Sequence, residues 1–174
     1  MTGRRRPWLV VVTGRPGAGK TTLARALADA LPCALLSRDA LKAGLLQTLG
    51  VTHHELGGGA NQLATQIFAT TTAQLLQADV SLVIEAAFQC AVWQPWLLQW
   101  SSDVEIRLII CQVADDLAHQ RVLARCAADP AWERIHGGMP AAAPYQPPQS
   151  PFPTISTYLP LAFYIAGITL FRNT

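Results

Sequence analysis

Eight consecutive residues hold the most pointed chemistry in this 174-residue chain: Gly14-Arg15-Pro16-Gly17-Ala18-Gly19-Lys20-Thr21. They fit G-x-x-x-x-G-K-[ST] at every position, and Thr22 follows. Glycines at this spacing let the backbone curl so that successive N–H groups point inward at phosphate oxygens. A helix beginning at Lys20 would add its positive N-terminal end. Lys20 would then reach the β- and γ-phosphates, and the Thr21 hydroxyl would ligate Mg²⁺. The partial likeness to a dinucleotide fingerprint fails, because the glycine spacing differs from G-x-G-x-x-G.

Five further positions could complete a phosphoryl-transfer site. Asp39 follows a short apolar run; its carboxylate could take the proton of an attacking hydroxyl, or cap the next helix. Lys42 lies one turn further on and could steady the transferring phosphoryl group, or sit in solvent. Glu85 ends the run Val80–Ile84 at the position of a strand-end acid that holds Mg²⁺, with a solvated carboxylate as the plain reading. Arg121 and Arg125, four apart, share a helix face, where they could neutralise developing charge or pair with Asp115, Asp116 or Asp129.

Elements that could position these residues are legible in the pattern. Trp8–Thr13, Cys33–Leu36, Val80–Ile84 and Val104–Cys111 read as strands. Helices are predicted over Lys20–Leu31, from Ser37-Arg38-Asp39 to Leu49, over Ala60–Ala78 with a stripe of Leu63, Ile67, Phe68 and Leu75, over Trp93–Ser101 with Pro95 in its first turn, and over Asp115–Ala127. Asp129–Pro153 reads as a long loop, followed by a helix near Ile155–Tyr164 and a strand near Ile168–Phe171. His53-His54-Glu55 reads as loop. Strands alternating with helices predict an α/β protein with a parallel sheet covered on both faces. The tryptophan series Trp93, Trp96 and Trp100 is a core stripe by this reading rather than a base-stacking platform.

Composition narrows the classes. The chain is 51% apolar with 14% charged residues, which excludes intrinsic disorder. A net charge of +2 implies no extended nucleic-acid coat. Four scattered cysteines without Cys-x-x-Cys spacing suggest free thiols in a reducing cytoplasm. Length predicts one domain over residues 1–174, with residues 1–7 as a flexible tail and 126–153 as a lid or loop region. Arg4–Arg6 precede an apolar run too short for a secretory signal. Tyr158–Phe171 is shorter than a membrane span and is interrupted by Pro160 and Gly167. A cytoplasmic protein is expected.

Taken together, Val-Val-Val-Thr-Gly-Arg-Pro-Gly-Ala-Gly-Lys-Thr-Thr-Leu-Ala-Arg-Ala-Leu, Leu-Leu-Ser-Arg-Asp-Ala-Leu-Lys, Val-Ile-Glu-Ala-Ala-Phe and Ala-Asp-Asp-Leu-Ala-His-Gln-Arg-Val-Leu-Ala-Arg make a pattern. It resembles the small P-loop kinase-like ATPases of the AAA type related to polynucleotide 5′-kinase, zeta toxins and chloramphenicol phosphotransferase. The resemblance covers about Trp8 to Arg125. It implies a three-layer P-loop fold of the nucleotide/shikimate-kinase type, with five parallel strands and the phosphate-loop strand beside the Glu85 strand. It further implies Asp39 as general base, Lys42 in place of a phosphate-contacting arginine, and Arg121 and Arg125 flanking a lid. Unlike those relatives, the stretch Gly137–Phe171 carries no Asp, Glu, Lys or Arg. The expected activity is γ-phosphoryl transfer from ATP with Mg²⁺ to an acceptor hydroxyl, on a small molecule rather than a nucleic acid. A nucleotide-binding regulatory module and a simple ATPase are the alternatives. No guanine-recognition Asn-Lys-x-Asp occurs, which favours ATP.

Overall fold

Trp8–Gly14 (β1) alternates its side chains between two apolar layers, and this alternation organises the molecule. Leu9 and Val11 enter a core with Phe68, Trp93 and Leu97, whereas Val10 and Val12 pack against Leu23, Ala24 and Leu27. A strand buried on both faces needs a near-continuous apolar run, which Leu9–Val12 supplies. The computed structural model describes residues 6–129, 131–137, 145–149 and 151–157.

The other strands are Ala34–Ser37 (β2), Leu82–Glu85 (β3), Glu105–Cys111 (β4) and Thr154–Thr157 (β5), ordered β2-β3-β1-β4-β5. Every pairing is parallel. β1 therefore lies between β3 and β4, so the phosphate loop and Glu85 leave the same sheet edge side by side, with Val12 level with Glu85.

The helices are Lys20–Ala30 (α1), Arg38–Leu49 (α2), His53–Leu56 (α3), Gly58–Gln77 (α4), Cys90–Trp100 (α5), Asp115–Ala128 (α6) and Ala131–His136 (α7). Ser37 caps α2, its hydroxyl accepting from the Ala40 N–H at 3.4 Å, and Gly50 closes it at φ 69°. Asp39 is thus a first-turn residue, not the cap. Trp93 packs edge-on against Phe68 and Phe88, with ring centroids 5.4 and 4.5 Å away. Trp96 and Trp100 pack against the same core, so the tryptophans serve the interior.

Several boundaries differ from expectation for identifiable reasons. His53–Leu56 is a helical turn rather than loop, because Thr52 and Glu55 form a reciprocal capping box. α4 buries Ala60, Ala64, Phe68, Thr72 and Leu76, an i, i+4 row of mostly small residues, and leaves Leu63 40% exposed. α5 starts at Cys90, which puts Pro95 inside the helix instead of its first turn. Ala131–His136 is helical within the stretch read as loop; the Asp129 carboxylate accepts from the Ala131 N–H at 2.9 Å at its start.

Ile155–Thr157 belongs to a strand instead of a helix. Its β-branched residues complete the ladder along Leu108–Cys111. The remainder of that predicted helix, and the strand near Ile168–Phe171, lie outside the described residues. Of the predicted N-terminal tail, Pro7 is buried and its carbonyl accepts from the Glu105 N–H. Among the described residues no helix is long and apolar enough to cross a membrane, and all four cysteines are free thiols.

Candidate functional site

The loop between β1 and α1 is shaped by glycine. Gly17 (φ 82°) and Gly19 (φ 87°) occupy the left-handed region, and Gly19 leads directly into the N-terminus of α1 with no side-chain cap. The uncapped amides of that first turn therefore face outward as donors. Lys20 is only 8% exposed, and its ammonium donates to the Arg15 carbonyl at 3.0 Å, arching back over the loop. Burial pulls its pKa down, while Glu85 and Asp39 act in the opposite direction.

Thr21 and Glu85 meet at the carboxyl ends of the strands. The Thr21 hydroxyl donates to Glu85 Oε1 at 3.1 Å, and the Ser37 hydroxyl donates to the same oxygen at 2.8 Å. Glu85 is 2% exposed, which removes the reading of a solvated strand-end acid. Two hydroxyls and a carboxylate form a hard oxygen set, and Thr21 with Glu85 suits Mg²⁺ in kind and placement.

These groups line a cavity of about 410 Å³, which also receives Asp39, Lys42 and Arg125. Pro16 and Gly17 contribute to its wall from the loop. Gly14 lies at the end of β1 beneath the loop, where it is level with Cys111. The Ala18 N–H turns back to the Arg15 carbonyl at 3.2 Å. Thr22 is exposed on α1 and does not line the cavity. Lys42, read from sequence as either a phosphate contact or a solvated lysine, is 2% exposed. Burial and the neighbouring Arg38 bring its pKa down to about 8, with Asp39 opposing.

The two arginines of α6 separate. Arg125 lines the cavity, whereas Arg121 donates to the Gly17 carbonyl at 3.2 Å and holds the loop against α6. This docking is tight, because a Cβ on Gly17 would collide with the Ala118 backbone. Asp115 pairs with Arg15 rather than with either α6 arginine.

Sequence reasoning missed several cavity residues. Ser37 holds Glu85 as well as capping α2. Arg38 also lines the cavity. It donates to Thr65 Oγ1 at 2.9 Å and to the Asn61 carbonyl at 3.1 Å, and it pairs with Asp39 at 3.4 Å. Trp132 and His136 bring stacked rings from α7, with centroids 4.5 Å apart, and both line the cavity. His136 is held below the usual imidazole range by burial. Their i, i+4 spacing was the available signal, hidden in a segment that Gly and Pro made look irregular. From the charge-free stretch, Tyr145 shares a hydrogen bond with the Thr13 hydroxyl, which accepts from the Phe88 N–H at 3.0 Å. Burial pushes the Tyr145 phenol up to about 12.

A parallel sheet in this order, a phosphate loop closed by a buried lysine, and an acid on the adjoining strand define a P-loop protein of the kinase-like type. The chain belongs to the AAA-domain family, whose profile matches residues 9–137. No curated protein matches it. Among solved structures, it is similar to a candidate kinase from Chloroflexus aurantiacus, with 26% identity and a TM-score of 0.80 over 95% of this chain and 98% of that one. The APS kinase of Mycobacterium tuberculosis, solved with AMPPNP and APS, has 17% identity and a TM-score of 0.69 over 98% and 100% of the two chains. A sugar kinase from Janibacter has 17% identity and a TM-score of 0.64 over 95% of each. At these lower identities the likeness is one of fold.

Proposed function

We propose that this chain is an ATP-dependent phosphotransferase that moves the γ-phosphoryl group to the hydroxyl of a small molecule. The observation carrying this reading is the meeting of Thr21 with Glu85 beside Lys20, in a cavity that also holds Asp39. The loop amides and the start of α1 would cradle the β- and γ-phosphates, with Lys20 swinging from the Arg15 carbonyl onto them. Thr21 and Glu85 would hold Mg²⁺, which when bound supplies charge neutralisation on the phosphate oxygens.

Asp39 takes the acceptor proton as the new O–P bond forms, and ADP leaves with the bridging oxygen of the broken bond. Arg38, paired to Asp39 and fastened to α4 through Asn61 and Thr65, orients that carboxylate. Arg125 adds positive charge where the phosphoryl group passes. Arg121 acts on the loop through Gly17 and does not touch the phosphates in this scheme.

The test is Asp39→Asn with labelled ATP and a panel of hydroxyl compounds. The variant should bind ATP with Mg²⁺ as before and lose acceptor phosphorylation. If the unaltered protein binds ATP yet transfers label to no compound, or releases phosphate only to water, the phosphotransferase reading fails in favour of a nucleotide-binding module or an ATPase.

A further inference from the structure

Thr13 is fully buried near the end of β1, and its hydroxyl is a junction. It accepts from the Phe88 N–H at 3.0 Å and shares a hydrogen bond with the Tyr145 hydroxyl. The three residues come from distant parts of the chain. Thr13 adjoins Gly14, the first residue of the phosphate loop, and Phe88 lies three residues beyond Glu85. Tyr145 follows α7, the helix that carries Trp132 and His136 to the cavity. One buried hydroxyl therefore ties the loop, the strand-end acid and the chain beyond α7 to one another.

Tyr145 is itself held from outside. Gln89 Oε1 accepts from the Gln146 N–H at 3.1 Å, and the Gln146 carbonyl accepts from the Cys90 N–H at 2.8 Å. Gln94 repeats the bracket: its Oε1 accepts from the Gln149 N–H at 2.9 Å, and its amide donates to the Gln149 carbonyl at 3.1 Å. Between the brackets stand Pro147 and Pro148, which have no N–H to satisfy and a fixed φ. Prolines leave the segment little freedom to lose on docking. Tyr145 stands outside the cavity, so whatever it does for the site it does through Thr13.

What Thr13 holds is the spacing between the loop and β3. Val12 is level with Glu85, the Ala86 N–H donates to the Val12 carbonyl at 3.3 Å, and Thr21 meets Glu85 at 3.1 Å. On the β4 side the loop entry is blocked, because a Cβ on Gly14 would stand 2.5 Å from the Cys111 carbonyl. The Thr13 hydroxyl fixes it on the β3 side. Resting on the phosphotransferase reading, we infer that Tyr145 is a positioning residue for Mg²⁺–ATP: through Thr13 it keeps the entry of the phosphate loop in register with Glu85, and so keeps Thr21 and Glu85 together. It touches neither nucleotide nor acceptor. The rival is a staple that serves stability alone.

Tyr145→Phe keeps the ring and removes the hydroxyl. AMPPNP binding is measured by calorimetry over a series of magnesium concentrations and in EDTA, with urea unfolding of each protein beside it. The apparent Mg²⁺ affinity in the presence of AMPPNP should fall by about tenfold, as for other groups that orient a metal's ligands, while AMPPNP affinity in EDTA stays within about twofold. Thr13→Val should lose at least as much, and adding Tyr145→Phe to it should cost nothing further, since one residue acts through the other. Thr13→Ser, which keeps the hydroxyl, should behave as the unaltered protein. An unchanged magnesium dependence in Tyr145→Phe, with or without a lower urea midpoint, overturns the inference. So does an equal fall in EDTA, or additive losses in the double variant. If the unaltered protein binds no AMPPNP with magnesium, the phosphotransferase reading fails first and this inference falls with it.

Discussion

The hydroxyl of Thr21 donates to the carboxylate of Glu85 across 3.1 Å, joining residues 64 positions apart. One opens α1 and the other closes β3, so the contact exists because β3 pairs with β1 in parallel and in this register. Ser37, at the end of β2, adds the third oxygen. Three neighbouring strands thus deliver one hard-donor cluster to the sheet edge.

Glu85→Gln should leave ATP binding in the presence of a chelator unchanged. With magnesium, the amide replaces a charge by a dipole, and the apparent Mg²⁺ affinity should fall by about 10- to 100-fold. A magnesium titration of phosphoryl transfer, set beside calorimetry of ATP in EDTA, checks this.

Arg121 and Arg125 should separate in kinetics. Arg125→Ala removes a cavity cation and should lower kcat by on the order of 10²-fold. Arg121→Ala loses a hydrogen bond of about 1 kcal/mol to the Gly17 carbonyl, so it should weaken ATP binding less than about tenfold and leave kcat nearly intact. Equal losses in kcat would show that both arginines meet the phosphates.

Gly17→Ala faces two obstacles. The left-handed backbone costs an alanine about 1–2 kcal/mol, and its Cβ would strike the Ala118 backbone, which cannot swing aside. Urea denaturation should show at least that loss, and ATP affinity should fall because α6 is pushed off the loop.

Lys42 makes stability rise with pH. Its folded pKa is lowered from 10.5 to about 8, so between these values the unfolded chain holds a proton that the folded one has released. The Lys42 contribution therefore increases from about pH 8 to 10.5, and below pH 8 its burial penalty is fully present; the buried Cys111 thiol, raised from 9.0 to about 11, acts in the opposite direction above pH 9. At about 1.4 kcal/mol per pH unit over the Lys42 interval, the penalty is about 3–4 kcal/mol. Lys42→Met should abolish the Lys42 contribution and stabilise the protein at pH 7, as read from denaturant midpoints at pH 7 and 10.

Phe68 is fully buried, and its ring lies against Phe88 and Trp93. Phe68→Ala should cost about 3–5 kcal/mol through lost burial and the cavity left behind. For a chain of this size the melting temperature should drop by about 6–20 °C, at 2–4 °C per kcal/mol. Trp93 fluorescence offers a local readout.

Local signals carried the strands and the phosphate loop far into view. β1, α1, α2 and β4 agree with their predicted spans to within one or two residues, because a buried run between turn residues, or a capped periodic segment, needs no distant partner to be recognised. The misread segments depend on tertiary context. Thr154–Thr157 is too short to announce itself, and becomes a strand through pairing with Leu108–Cys111. The buried row of α4 runs through alanines because α2 approaches closely there, so hydrophobicity pointed to the wrong face at Leu63.

By itself the sequence determined the P-loop, the alternation of strands and helices, and the short list Lys20, Asp39, Lys42, Glu85, Arg121 and Arg125, since each follows from residue type at a fixed local spacing. Only the tertiary structure decided which of them face one another. It buried Lys42 beside Arg38 and Asp39, turned Arg121 onto Gly17 and Arg125 into the cavity, and brought Ser37, Trp132 and His136 to the same space. Burial and charge proximity are properties of through-space distance, which strand order sets and which no local pattern encodes.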